Sequence, residues 1–202
     1  MRNSSKTLLL FNFFVCLFWS CKGKVDYYKI PAFRSQKTVN AIVEISSGTS
    51  TKFEYDHFSK KFVIDQENGV DRIIEFLPYP ANYGFVPSTV SGKEIGGDGD
   101  ALDILIISKQ LKKGTVVEVI PIAMLKLIDE GEIDHKIVAI PYQKEYRTIN
   151  AASYIELLND YPSAIQIIEL WFLNYNKKDN ARIEGWGNEY DAIREIKKSL
   201  KE

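Results

Sequence analysis

Three carboxylates fall within six residues in the segment Gly97-Asp98-Gly99-Asp100-Ala101-Leu102-Asp103. Small residues let the backbone turn between them, and the apolar run Ile104-Leu105-Ile106-Ile107 that follows reads as a buried strand. A tight acidic loop on a rigid strand gathers charge that repels itself unless a cation fills the gap. A second acidic stretch, Asp129-Glu130-Gly131-Glu132-Ile133-Asp134-His135-Lys136, also lies between apolar runs, so Asp129 and Asp134 could open on the same end of a sheet. The only histidines are His57 and His135, and no cysteine stands near either loop. An all-carboxylate donor set points to Mg²⁺, Mn²⁺ or Ca²⁺ rather than to zinc or copper. An EF-hand fails in detail: counted from Asp98, the sixth position holds Asp103 instead of Gly and the twelfth holds Lys109 instead of Glu. For the triplet alone, a solvated acidic turn is the competing reading.

The basic residues add to the pattern. Lys52 sits in Lys-Phe-Glu, Arg72 follows Asp71, and Lys136 closes the second acidic stretch. Each alone reads as a surface cation or half of a weak ion pair. Together with Tyr79, Tyr83 and Tyr175 they suit a polyanion. Carboxylates that hold a divalent metal, faced by Lys, Arg and Tyr, fit a phosphate substrate whose charge the metal neutralises and whose oxygens the cations fix.

Several elements are expected to carry these residues. Ala41-Ile42-Val43-Glu44-Ile45 reads as a strand, a Ser/Gly/Thr turn follows, and Lys52-Phe53-Glu54-Tyr55 and Phe62-Val63-Ile64 read as two more. Residues 77–101, with Pro78, Pro80 and Pro87 and several glycines, are expected to be long and irregular. Residues 115–128 form a long apolar strand in which Pro121 marks an edge or a bulge. Ile137-Val138-Ala139-Ile140 is a further strand. Helices come last: one starts at Pro162 with Ile165, Ile168, Phe172 and Tyr175 at helical spacing. The other is capped by Asn188, with Ile193, Ile196 and Leu200 on one face. Strands first and helices last predict an α+β fold with helices packed on a small curved sheet or barrel.

The N-terminus reads as a targeting segment. Arg2 and Lys6 precede an almost wholly apolar run over residues 8–19, shorter than the ~20 residues that a spanning helix needs. Leu17-Phe18-Trp19-Ser20-Cys21 resembles a bacterial lipobox, which makes residues 1–20 a signal peptide, Cys21 the lipidated N-terminus and residues 21–38 a tether ahead of a domain over 39–202. An ordinary signal peptide or an uncleaved anchor is the alternative. Cys16 and Cys21 are the only cysteines, so the domain holds neither a disulfide nor a catalytic thiol. Removal of residues 1–20 leaves 182, enough for one domain with a substantial core, carrying 24 cationic against 27 acidic side chains. That balance argues against a nucleic-acid binder, an oligonucleotide-binding barrel included.

The motifs resemble those of the soluble inorganic pyrophosphatases. That family carries Asp-Gly-Asp-Pro-hydrophobic-Asp, which residues 98–103 match except at Ala101. Val43-Glu44-Ile45, Lys52-Phe53-Glu54, Val70-Asp71-Arg72, Tyr79-Pro80-Ala81-Asn82-Tyr83-Gly84, Leu125-Lys126, Asp129-Glu130, Asp134-His135-Lys136 and Glu184-Gly185-Trp186 occur in the family's order over residues 40–200. The resemblance implies a five-stranded barrel of OB type flanked by helices, and hydrolysis of pyrophosphate by metal-activated water. It implies that Asp98, Asp103 and Asp134 hold a first Mg²⁺, with Asp103 bridging to a second. Asp129 and Asp134 hold a further ion that arrives with substrate, and Glu44 acts through water. It makes Asp100 the general base, and gives Lys52, Arg72, Lys136, Tyr83 and Tyr175 the phosphates and Glu54 and Tyr79 a supporting role. Membrane attachment through the lipid, an exported location on the periplasmic or cell-envelope face and a homo-oligomer complete the expectation.

The chain departs from the family pattern at Ala101, at Asn176 where the family has a substrate-binding lysine, and at Ile120 where many members have Arg. Lys177, Lys178 or Arg182 could replace the missing lysine. A non-catalytic, lipid-anchored protein that binds phosphate or metal on the same scaffold is the alternative function.

Overall fold

The computed structural model describes residues 25–176, 178 and 180–201. The expected signal peptide, Cys21 and Lys177 lie outside the described residues. No helix among the described residues is long and apolar enough to cross a membrane.

The longest strand, β8 below, organises the molecule, and chain order leads up to it. Strand β1 (Val39–Ile45) is buried throughout. Strands β2 (Phe53–Asp56) and β3 (Lys61–Ile64) form a hairpin, and β4 (Gln66–Glu67) and β5 (Val70–Asp71) a smaller one. There follow β6 (Asn82–Phe85), β7 (Asp103–Ile106), β8 (Val116–Asp129), β9 (Glu132–Ile133) and β10 (Lys136–Pro141). The chain ends in α1 (Tyr154–Asp160), α2 (Pro162–Asn174), β11 (Arg182–Asn188) and α3 (Glu189–Lys198).

The main sheet runs β1-β6-β7-β10-β8, and β8 pairs back onto β1, so five strands close into a ring. Only the β7–β10 pair in this ring is parallel. Closure removes the open edges that a flat sheet would leave. Strand β11 adds to β8 antiparallel, and the helices flank the ring. This is the α+β, OB-type barrel with C-terminal helices that the sequence implied. Pro121 sits at a bulge: Ala123 faces Val138 and Pro121 faces Ala139, so Ile122 has no facing partner.

Alternation along the strands divides the core. In β7, Leu105 joins Leu125, Leu127, Ile168, Trp171 and Phe172, the side closed by α1 and α2. Its neighbours Ile104 and Ile106 join Val117, Val119, Ala192 and Ile196, the side closed by α3. Both faces of β7 are thus buried, which explains its unbroken apolar sequence. Pro162 opens α2 at its first turn. Asn188 caps α3 through the Tyr190 and Asp191 amides, and Asp191 returns a bond to the Asn188 amide.

The sequence expectation lacks the short strands β4, β5 and β9 as well as β6, α1 and β11, and it extends the last helix to Leu200, beyond the Lys198 end of α3. Residues 77–101 contain β6, because a short Asn-Tyr-Gly-Phe strand between prolines carries no visible period. Helix α1 is too short to show one. Strand β11 lies between α2 and α3, so the strands do not all precede the helices; Gly185 and Gly187 dilute its pattern. In β6, Gly84 is required: a Cβ there would stand 1.8 Å from the Ile42 carbonyl oxygen on β1. Within the expected tether, the short 3₁₀ turn Tyr27–Lys29 packs on the barrel, with Tyr27 and Tyr28 against Tyr55 and Phe85.

Candidate active site

A cleft of about 470 Å³ opens at one end of the barrel. All thirteen side chains expected to bind metal, bind substrate, act as base or support the site line it: Glu44, Lys52, Glu54, Arg72, Tyr79, Tyr83, Asp98, Asp100, Asp103, Asp129, Asp134, Lys136 and Tyr175. Phe85, Glu67, Glu130, Trp171, Phe172, Asn176 and Tyr28 also contribute.

Local backbone chemistry brings the two acidic loops together. Gly99 has φ +91°, a left-handed conformation that places Asp98 and Asp100 on a tight turn. The Asp100 amide donates to Asp98 Oδ1 at 2.9 Å, closing an Asx turn. Gly97 and Ile133 form a parallel bridge, and the Ile133 amide donates to the Gly96 carbonyl at 2.7 Å. The loop that holds Asp98 is thereby laced to the hairpin between Asp129 and Asp134. Asp103 opens β7 and Lys136 opens β10, which are parallel neighbours, so both point from the same barrel end.

Lys136 stands at the centre. It is 4% exposed, and its ammonium bonds both the Asp103 and Asp134 carboxylates. Burial opposes its charge, but Asp103 and Asp134 hold its pKa above the ordinary lysine value. The rings of Tyr83 and Phe172 lie 5.8 and 5.9 Å from the ammonium. Burial, then Asp103 and Asp134, keeps the Tyr83 phenol protonated well past its usual pKa.

On one wall, Lys52 donates to Glu54 Oε1 at 2.7 Å and to Asp65 Oδ2 at 2.9 Å. Arg72 reaches the same Asp65 oxygen at 2.8 Å. Asp65 thus fixes two cations side by side, and sequence reasoning missed it. The signal was register: Phe53 pairs with Ile64, so Lys52 and Asp65 are the next facing residues of the β2–β3 hairpin. On another wall, Tyr175 stacks on Trp171 with 4.9 Å between centroids and donates to Asp129 Oδ2 at 3.4 Å. Trp171 donates through Nε1 to the Leu77 carbonyl. Glu44, 7% exposed, accepts the Tyr55 amide at 2.7 Å. Of the residues expected to replace the lysine absent at Asn176, Lys178 lies 3.6 Å from Glu67, and Arg182 lies 3.2 Å from Glu184.

Nine carboxylates and three cations line the cleft. Burial, reinforced by neighbouring acids, raises the pKa of Glu44, Asp98, Asp100 and Asp134 above the ordinary carboxylate value. Among the described residues no three of these carboxylates converge into a finished cage, since Lys136 bridges two of them. The donor set nevertheless fits a hard divalent cation. It is all oxygen, it lies at a partly desolvated cleft, and its excess charge would repel any anionic substrate unless a cation joined it.

The family model described as inorganic pyrophosphatase matches residues 41–202. The inorganic pyrophosphatase of Sulfolobus acidocaldarius is 36% identical over 179 residues, covering 85% of this chain and 94% of that protein. That of Neisseria meningitidis serogroup B is 32% identical, covering 80% and 86%. The crystal structure of an inorganic pyrophosphatase from Neisseria gonorrhoeae aligns with TM-score 0.74 at 28% identity, over 87% of this chain and 97% of that one. That of Helicobacter pylori aligns with TM-score 0.70 at 29% identity, over 85% and 96%. A barrel, cleft and sequence shared over this length place the chain in the inorganic pyrophosphatase family.

Proposed function

We propose that this protein hydrolyses inorganic pyrophosphate to two orthophosphates, with water attacking one phosphorus while the bridging P–O bond breaks. The observation that carries the reading is one cleft joining nine carboxylates to Lys52, Arg72 and Lys136. Mg²⁺ is the cofactor of this reading: Asp98, Asp103, Asp129 and Asp134 would hold it, with Glu44 acting through water, and it would supply positive charge against the phosphate oxygens and acidify water.

Asp100 is the general base. It lines the cleft on the same tight turn as Asp98, within the carboxylate cluster where the attacking water would lie. It receives the proton of the attacking water, which then passes to the departing orthophosphate. Lys52, Arg72 and Lys136 bind phosphate oxygens, and Tyr83 and Tyr175 orient them with hydroxyl donors. Glu54 holds Lys52 in position, and Tyr79 supports Tyr83, 5.4 Å away between centroids.

The assay is phosphate release from pyrophosphate with and without Mg²⁺, beside Asp100→Asn. Release should require Mg²⁺ and fall by roughly 10²–10⁴ in the variant. An inactive parent protein would remove the hydrolytic reading, and an active Asp100→Asn would remove the base.

We also infer export and lipid attachment at Cys21, supported by the basic start, the apolar run over residues 8–19 and the Ser20-Cys21 pair. Labelling with a radioactive fatty acid should fail in Cys21→Ser; labelling that persists there would end this inference. A homo-oligomer is supported by the exposed apolar side chains Ile155, Leu158, Ile167, Leu170 and Leu173 on α1 and α2. A monomer by light scattering would refute it.

A further inference from the structure

The cleft has a wall that lies ahead of the family-matched residues. Tyr28 precedes the match that starts at residue 41, yet it lines the site beside Glu44, Asp100 and Ala101. Its ring stacks on Phe85 at 4.9 Å and 24°, meets the edge of His57 at 5.4 Å and lies tilted on Tyr55 at 5.5 Å. The Lys201 ammonium stands 4.9 Å over the same ring. Four groups therefore fix one aromatic plane.

The backbone of the segment is tied down as firmly. Ser88 Oγ lies 3.0 Å from the Tyr28 carbonyl and 2.9 Å from that of Ile30. The Tyr27 hydroxyl donates to the Gly114 carbonyl at 3.1 Å, and the Tyr55 hydroxyl donates to the Val25 carbonyl at 2.9 Å. Lys60 pairs with Asp26 at 3.2 Å. A merely trailing segment would not collect bonds from four separate residues, Tyr55, Lys60, Ser88 and Gly114.

The cluster against which Tyr28 packs connects it to the chemistry. Tyr55 gives its amide to Glu44 Oε1 at 2.7 Å, so a shift of Tyr55 moves that carboxylate. Ala101, the residue next to Asp100, packs against the same buried cluster of Ile42, Tyr55 and Phe85 that Tyr28 packs against. We propose, resting on the hydrolytic reading above, that Tyr28 is a positioning residue: its ring is a fixed wall against which Glu44, through Tyr55, and Asp100, through Ala101, are set at working distance.

The test uses the full chain and three variants, Tyr28→Phe, Tyr28→Leu and Tyr28→Ala. Each is followed by steady-state hydrolysis and by calorimetric titration of Mg²⁺ alone, without pyrophosphate. With the wall removed in Tyr28→Ala, kcat should fall about tenfold, since small misplacements of reacting groups cost rate steeply. KM should move less than about threefold, and Mg²⁺ affinity should fall severalfold. Tyr28→Phe, which keeps the ring, should stay within about twofold of the parent in all three. Tyr28→Leu should behave as Tyr28→Ala and replaces it if the alanine variant does not fold. A Tyr28→Ala or Tyr28→Leu protein that only melts earlier, with kcat and Mg²⁺ affinity intact, overturns the positioning role. So does a Tyr28→Phe variant as impaired as Tyr28→Ala, because the ring then does nothing by itself. A parent chain that binds Mg²⁺ but releases no phosphate defeats the hydrolytic reading instead, and the Mg²⁺ titrations still report on the wall.

Discussion

Replacing Lys136 by methionine tests the electrostatic centre of the cleft. The ammonium is buried and bonded to two carboxylates, which are themselves 24% and 18% exposed. Methionine keeps the stem and removes the charge, leaving Asp103 and Asp134 close together with no counter-ion. Removing one partner of a buried pair costs about 3–5 kcal/mol, and the partial exposure of both acids favours the lower end. About 3 kcal/mol in a domain of this size lowers the unfolding temperature by roughly 6–12 °C. The loss depends on pH. Burial already raises the Asp134 pKa, and the lost ammonium raises it further. A carboxyl whose folded pKa exceeds its unfolded value favours the folded state when protonated, and this advantage fades as pH rises through the two values. The deficit of Lys136→Met should therefore shrink toward pH 5 and widen toward pH 8. Mg²⁺ should also recover part of it, since a cation that binds only the folded state stabilises by mass action. Calorimetric melts in EDTA, then in Mg²⁺, at both pH values, measure each part. Equal melting of the variant and its parent in EDTA at pH 8 would mean that Lys136 does not neutralise the pair, and the account of the cleft would fall with it.

Asp65→Asn should leave Lys52 and Arg72 poorly placed, raising KM for pyrophosphate about tenfold with a smaller change in kcat, by initial-rate kinetics. Burial opposes the Asp65 charge, but Lys52 and Arg72 win and hold its pKa below the ordinary value. Its contribution to stability is present above about pH 4 and is lost as pH falls through the folded pKa, so acid melts of Asp65→Asn should be flatter than those of the parent. Gly84→Ala should cost more than about 3 kcal/mol or prevent folding, because the new methyl would overlap the Ile42 carbonyl; a soluble variant with an unchanged urea midpoint would contradict the close approach of β6 to β1.

What the sequence revealed depended on how local the signal was. Asp98, Asp100 and Asp103 share one turn, and Asp129, Asp134 and Lys136 flank one hairpin, so composition and spacing displayed them directly. Strands β7, β8 and β10 show as apolar runs because both their faces are buried. Asp65 was hidden because its meaning lies in the residue across the hairpin, and Tyr28 because a packed turn near the terminus looks like a tether until its partners are seen. Strand β6 was hidden by its brevity and its prolines. Strand β11 was hidden because it pairs with β8 alone, an edge position that leaves most of its residues partly exposed.

The closure of the ring has a kinetic side. Pairing Val39 with Val119 and Ile42 with Val116 joins segments far apart in sequence, whereas β8 and β10 are nearly adjacent. Loop-closure entropy opposes the distant contact first, so the β8–β10 pair with its β9 turn should form early and β1 should dock late. Until β1 docks, the first residues of β8 keep an open edge on an apolar strand, the kind of surface that chaperones shield and that aggregates exploit. The same late step lets β1 carry in Glu44, so the cleft gains its most buried acid only as the barrel shuts.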